Sequence, residues 1–137
     1  MNSPNIPHPP LQLKILLAED NPINQKVATR ILSHLGHQAD VVTNGREAII
    51  AIANKFYDLI LMDIQMPEMD GLTAAQHIRQ LEVTSQSSPI TIIAMTANAT
   101  DEDRELCRKA GMDDYLTKPI QIDKLKAILQ AFSPRTA

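Results

Sequence analysis

Five polar side chains in this chain follow short runs that read as strands. Glu19 and Asp20 follow 13–18 (LKILLA), Asp63 follows 59–62 (LILM), Thr96 follows 90–95 (ITIIAM) and Lys118 follows 114–117 (DYLT). The set suits transfer of a phosphoryl group to a carboxylate, with Asp63 as the nucleophile. Such a nucleophile needs its own charge, and the donor's, neutralised. Mg2+ does this when held by one or two carboxylates, waters, a phosphate oxygen and often a backbone carbonyl. Asp20 and Asp63 have the reach to ligate it directly, and the longer Glu19 through water. The backbone carbonyl of Gln65 lies where a third protein ligand is wanted. Lys118 supplies a mobile point charge for one phosphoryl oxygen and Thr96 a hydroxyl donor for another.

Each of these residues is ordinary by itself. Asp after a strand caps helices and forms turns, Thr does the same, Lys before Pro is solvated surface, and Asp70-Gly71 is a turn signal. The set has meaning only if the strand ends meet, and in one parallel sheet the carboxyl ends share an edge.

The intervening residues read as the elements such a sheet requires. After 13–18, Asn21 and Pro22 suit an N-cap and first helical position. The helix should reach about Leu35, with Ile23, Val27, Ile31 and Leu35 on its apolar face and Gly36 ending it. A weaker strand follows at 38–43, then an Asn44-Gly45 turn and a helix with Ala48, Ile49, Ile52 and Ala53 as its stripe. The third strand must stop near Asp63, because Pro67 and Gly71 follow closely. A helix from Gly71 or Leu72 uses Leu72, Ala75, Ile78, Arg79 and Glu82, and 84–89 is a polar loop. Beyond 90–95, Thr100 caps a helix with Asp101, Glu102 and Asp103 in its first turn, which complements the helix dipole. Leu106, Cys107 and Ala110 are its only clear anchors, so it should be the easiest helix to shift. The last helix, 121–132, uses Ile122, Leu125, Ile128, Leu129 and Phe132. Five such alternations predict a parallel, doubly wound α/β sheet with helices on both faces.

Composition narrows the function. With 13 basic against 16 acidic residues, and a formal charge of −3, the chain lacks the basic excess of a nucleic-acid surface. No Trp, two Tyr and two Phe leave little for base stacking. The single Cys107 forms no intrachain disulfide and suits a reducing compartment. No apolar run reaches membrane-span length, and the first residues lack the apolar core of a signal peptide, so the expected location is cytoplasmic. Residues 1–11, holding four of the nine prolines, read as a linker or tail, and 133–137 as a short C-terminal tail. His8, His34, His37 and His77 show no metal-ligand spacing.

Taken together, Glu19-Asp20, Asp63 with Met66-Pro67 and Asp70-Gly71, Met95-Thr96-Ala97 and 115–119 (YLTKP) resemble the receiver domain of two-component response regulators, over about residues 12–132. The resemblance implies a flavodoxin-like five-stranded sheet of order 2-1-3-4-5 and a cis Lys118–Pro119 bond. It also implies Asp63 as phosphoacceptor, Mg2+ held by Glu19, Asp20 and Asp63, and Thr96 and Lys118 as phosphoryl contacts. Residues 18–28 (AEDNPINQKVA) and 62–71 (MDIQMPEMDG) are similar to receivers fused to hybrid histidine kinases. There the phosphoryl group comes from a histidine and commonly passes to a histidine phosphotransfer domain. The expected partners are therefore a histidine kinase or a phosphotransfer domain, with no nucleic acid and no direct membrane insertion. A phosphorylation-dependent dimer stays open, as does membrane anchorage of a parent protein.

On this reading phosphorylation adds charge beside the metal, and Thr96 swings to bond the phosphoryl group. In the family an aromatic residue near the fifth strand fills the space behind it, and Tyr115 is the match. Gln65 and Asn98, each two residues beyond a pocket residue, are expected to tune dephosphorylation by flanking the attacking water. Ile23 and Asn24, beside the pocket, are expected to dock a helical histidine-bearing partner. The isolated domain is expected to catalyse only its own phosphorylation and dephosphorylation. A free-standing single-domain regulator fits the same residues. An aspartyl-nucleophile, Mg2+-dependent phosphatase of the haloacid-dehalogenase kind fits less well, since it wants a second Asp where Gln65 stands. Four scattered glycines supply no phosphate-binding loop for a nucleotide.

Overall fold

The computed structural model describes residues 12–132. The tails assigned to 1–11 and 133–137 lie outside the described residues. Each strand-like run pairs into one sheet, and each polar break after it opens a helix. In chain order these are β1 Lys14–Ala18, α1 Pro22–His34, β2 Gln38–Val42, α2 Gly45–Asn54, β3 Leu59–Asp63, α3 Gly71–Ser85, β4 Thr91–Thr96, α4 Asp101–Lys109, β5 Asp114–Thr117 and α5 Ile122–Ala131. All pairings are parallel, in the order β2-β1-β3-β4-β5.

The central strands β1, β3 and β4 are almost wholly apolar because both faces of the sheet are covered. Alternation divides them between two cores. Leu16, Ile60, Met62, Ile92 and Ala94 pack with Ala48, Ala75, Ile78 and Cys107 from α2, α3 and α4. Ile15, Leu17, Leu59, Leu61 and Ile93 pack with Ala28, Leu32, Leu125 and Leu129 from α1 and α5. The register sets Ala18 opposite Met62, Asp63 opposite Met95 and Thr96 opposite Thr117, which aligns the carboxyl ends of four strands. Among the described residues, no helix is long and apolar enough to cross a membrane.

Several local readings change. The buried face of α1 is Ala28 and Leu32, whereas Ile23 is 72% and Val27 41% exposed. A spacing of four overshoots the 3.6-residue turn, so a four-apart row drifts around the helix, and its first two members leave the sheet. Leu106 is 52% exposed and does not anchor α4; Cys107 is the helix's buried residue. Ile122, at the start of α5, is likewise exposed. Asp70-Gly71 is more than a turn: Asp70 Oδ1 accepts the Thr73 N–H at 2.8 Å and caps α3. Arg79 belongs to a knot. Its guanidinium donates to the carbonyls of Gly111 and Ile90 at 2.8 and 2.7 Å and pairs with Glu82 and Asp113.

Candidate functional site

The sheet edge brings three carboxylates together. Glu19 follows β1 directly, Asp20 is next, and Asp63 ends β3; one ligand oxygen from each lies within 4.8 Å of the others. Glu19 and Asp63 are 1% and 2% exposed, and Asp20 is open to solvent. Hard oxygen donors this close fit a small divalent cation such as Mg2+.

Local structure holds each group in place. Asn21 caps α1 by accepting the Ile23 and Asn24 N–H groups at 2.8 and 3.1 Å. Its own N–H donates to Glu19 Oε2 at 3.1 Å, and Gln25 Nε2 donates to the Glu19 carbonyl at 2.6 Å. The Gln65 N–H donates to Asp63 Oδ1 at 3.0 Å. Lys118 precedes a cis proline, and its N–H donates to the Thr96 carbonyl at 2.8 Å, fastening β5's end to β4. From there Lys118 Nζ reaches Asp63 Oδ2 at 2.6 Å and Glu19 Oε1 at 3.2 Å.

Electrostatics follow from this crowding. Burial pushes the Glu19 carboxyl above its ordinary range; the Asn21 N–H and Lys118 oppose the rise, and neighbouring Asp63 adds to it. Burial also works against the charged Lys118, yet Asp63 and Glu19 outweigh it and hold the ammonium above the usual lysine value. The site thus holds a buried acid pair bridged by one cation.

The remaining residues named from the sequence lie around this centre. Thr96 is 3% exposed, and its hydroxyl donates to the Asn98 carbonyl at 2.7 Å and accepts the Asn98 N–H at 3.1 Å. Here that hydroxyl is engaged by its own loop, with no hydrogen bond to Asp63. Tyr115 is half-buried, with Arg104 over its ring, and it lines a cleft of about 340 Å³ between α4 and α5. Gln65 and Asn98 have exposed side chains, while Ile23 and Asn24 open α1 as exposed and half-buried residues.

Supporting residues had escaped the sequence reading. Gln25 and the Asn21 N–H carry no signal beyond their place in the first helical turn. Gly71 fits because a Cβ there would collide with the Asp63 carbonyl oxygen and stand 2.8 Å from Met62 Cγ. Asn44, read as half of a turn, is 7% exposed, caps α2 and binds Glu68.

With this geometry in place, similarity to known proteins is informative. A family profile described as response regulator receiver domain matches residues 15–130. A probable histidine kinase 1 of Oryza sativa subsp. indica is 42% identical over 149 residues, covering 88% of this chain and 15% of that protein. This chain therefore spans about a seventh of that relative's length. The receiver domain of sensor histidine kinase PA1611 from Pseudomonas aeruginosa PAO1, solved with a magnesium ion coordinated in its active site cleft, matches with TM-score 0.77 and 43% identity, covering 88% of this chain and 96% of that one. The receiver domain of the Saccharomyces cerevisiae response regulator Ssk1, solved with the histidine phosphotransfer protein Ypd1, gives TM-score 0.81 and 30% identity, covering 88% and 92%. Fold, strand-end residues and these matches agree: the chain belongs to the response regulator receiver domain family of two-component signalling.

Proposed function

We propose that this receiver accepts a phosphoryl group from a phosphohistidine onto Asp63, and then switches its surface or passes the group to a histidine phosphotransfer partner. The observation that carries this reading is the buried Asp63 carboxylate, 2.6 Å from Lys118 Nζ and within 4.8 Å of Glu19 and Asp20 oxygens. Glu19, Asp20, Asp63 and the Gln65 carbonyl would hold Mg2+, which when bound offsets the charge of carboxylate and donor. The magnesium of the PA1611 receiver supports that assignment.

In the transfer, an Asp63 oxygen bonds to phosphorus as the donor's P–N bond breaks, and the electron pair leaves with the imidazole nitrogen. Lys118, on its flexible stem, then follows a phosphoryl oxygen. Thr96 exchanges its Asn98 carbonyl acceptor for another phosphoryl oxygen. Tyr115 moves into the space this opens, and α4, held by few buried residues, shifts with it. Gln65 and Asn98 flank the approach of the hydrolytic water and set the lifetime of the acyl phosphate.

The Ssk1–Ypd1 complex supports a helical phosphotransfer partner, for which Ile23 and Asn24 form the proposed dock. The rice relative supports a hybrid histidine kinase as parent, with the receiver unit occupying 12–132. Cys107, buried and unpaired, suits a reducing compartment, and the proposed location is the cytoplasm.

The test is intact mass spectrometry after incubation with Mg2+ and a small phosphodonor, repeated with a histidine-phosphorylated donor. Wild type should gain one labile phosphoryl group and Asp63→Asn none. No gain from either donor, or an equal gain in Asp63→Asn, would overturn the reading.

A further inference from the structure

The loop between β3 and α3 carries Gln65, and it is strapped to the start of α2 by contacts that phosphoryl transfer does not itself use. Asn44 Nδ2 donates to Glu68 Oε2 at 2.9 Å, while Asn44 Oδ1 accepts the Glu47 N–H at 2.8 Å. Next to it, the Gly45 N–H donates to the Met69 carbonyl at 2.9 Å. A Cβ on Gly45 would stand 2.7 Å from that oxygen and 2.9 Å from the Asp70 carbonyl, so no larger residue allows the approach. At the loop's far end the Gly71 N–H donates to the Ile64 carbonyl at 3.2 Å.

Glu68 is the unusual member. It is solvent-exposed, yet its φ of 65° lies in the left-handed region, where glycine or asparagine would sit with less strain. Its carboxylate meets a buried amide that would otherwise lose its acceptor. Chain geometry and side-chain chemistry therefore conflict at Glu68 unless the side chain is needed. Only three residues away, the Gln65 N–H holds Asp63 Oδ1 at 3.0 Å.

We infer that Asn44 and Glu68 are positioning residues for the cation site: their hydrogen bond fixes the 64–70 loop and, through it, the Gln65 backbone against Asp63. The inference rests on the phosphoacceptor reading, in which the Gln65 carbonyl is a cation ligand. Neither residue touches the reacting atoms; both act through the loop.

The sharpest variant is Asn44→Asp. It keeps the oxygen that caps α2 and replaces the amide donor with an oxygen facing the Glu68 carboxylate. The added negative charge would by itself attract a cation, so weaker binding cannot be a charge effect. Mg2+ affinity, measured by titration calorimetry, should fall about tenfold, as when groups supporting metal ligands are removed. The Gln65 amide resonance should move in the metal-free protein. The exchanged pair Asn44→Asp with Glu68→Gln restores one donor and one acceptor and should recover most of the affinity. Glu68→Gly, which relieves the backbone and deletes the carboxylate, should also weaken Mg2+ binding without loss of fold. Unchanged Mg2+ affinity and Gln65 resonance in Asn44→Asp and Glu68→Gly would overturn the positioning role. So would an exchanged pair as weak as Asn44→Asp. A wild type that binds no Mg2+ and gains no phosphoryl group would instead remove the phosphoacceptor reading, and this inference with it.

Discussion

The Arg104 guanidinium lies over the Tyr115 ring, 4.6 Å from its centroid, and so ties α4 to β5. Few other contacts hold that helix. Cys107 is its buried residue, Ala110 is buried at its C-cap, and Leu106 faces solvent. The pair coexists here with a Thr96 hydroxyl bonded to the Asn98 carbonyl, the state that the proposed switch would leave on phosphorylation.

If α4 moves as proposed, Arg104→Ala should loosen it. A cation–π contact at an exposed site is worth about 0.5–1 kcal/mol, roughly a two- to fivefold change in an equilibrium. Hydrogen exchange across 101–109 should quicken, and phosphorylation by a small donor should accelerate by up to that factor. Identical exchange and rates in wild type and variant would show that the contact does not restrain α4.

Glu19 should lower stability in the absence of metal. Its carboxyl is raised, chiefly by burial and then by Asp63, so the folded chain holds the proton more tightly than the unfolded chain. The stabilising contribution is then complete below the ordinary carboxyl range and lost as pH rises through the raised value. At neutral pH the ionised group is a liability. Glu19→Gln keeps an acceptor for the Asn21 N–H and leaves Lys118 paired with Asp63, so its melting temperature in chelator should rise. Mg2+ should raise the melting temperature of wild type by linkage and that of the variant much less. A lower melting temperature for the variant in chelator would contradict this account.

Strand ends were legible because β3 and β4 are apolar runs that stop at a carboxylate and a hydroxyl, a one-dimensional signal. The cluster of Glu19, Asp20, Asp63 and Lys118 could be inferred because a parallel sheet leaves those ends one edge. Contacts with no sequence period were not legible. Nothing in 64–70 announces that Glu68 reaches Asn44, twenty-four positions away. The facing of α1 differs from the expectation at Ile23 and Val27 because a row spaced four apart drifts around a 3.6-residue helix, and Ala28 and Leu32 hold the buried face instead. The bonds that Arg79 makes to the carbonyls of Gly111 and Ile90 were not legible, because its guanidinium looks, in sequence, like that of any charged helix residue.

Gly71→Ala should disable the site from behind. The new Cβ would collide with the Asp63 carbonyl oxygen and press on Met62 Cγ at 2.8 Å, both in the buried end of β3. Overpacking of this kind costs about 1–3 kcal/mol. Chemical unfolding should show that loss, and Mg2+ affinity should fall with it as Asp63 is displaced. Wild-type stability and affinity in the variant would mean the loop yields at little cost.

Ile23→Glu should separate docking from chemistry. Ile23 is 72% exposed at the start of α1, three residues beyond Asp20 in the chain, and Val27, four residues further on, is 41% exposed. A charge there should slow transfer from a phosphohistidine partner about tenfold, the loss of a modest interface anchor. Phosphorylation by a small donor should be slowed much less, since Ile23 is an exposed residue of α1 outside the carboxylate cluster. Equal slowing with both donors, or with neither, would remove Ile23 from the docking surface.

His37 should give the fold a pH-dependent step of its own. The Leu13 N–H donates to His37 Nδ1 at 3.1 Å, and the Gln38 N–H donates to the Leu13 carbonyl at 3.3 Å, so the ring fastens the start of β1 beside β2. That bond needs a neutral Nδ1, and burial lowers the pKa from the ordinary 6.5. A depressed histidine is protonated more readily in the unfolded chain. Its contribution is therefore complete above the ordinary value and is lost as pH falls below it, through the lowered folded value. His37→Gln offers an oxygen to the same N–H without titrating. Between about pH 7 and pH 5, above the range of ordinary carboxyls, wild type should lose more stability than His37→Gln in denaturant titrations. Parallel curves for the two proteins would show that Leu13 and His37 do not sense pH.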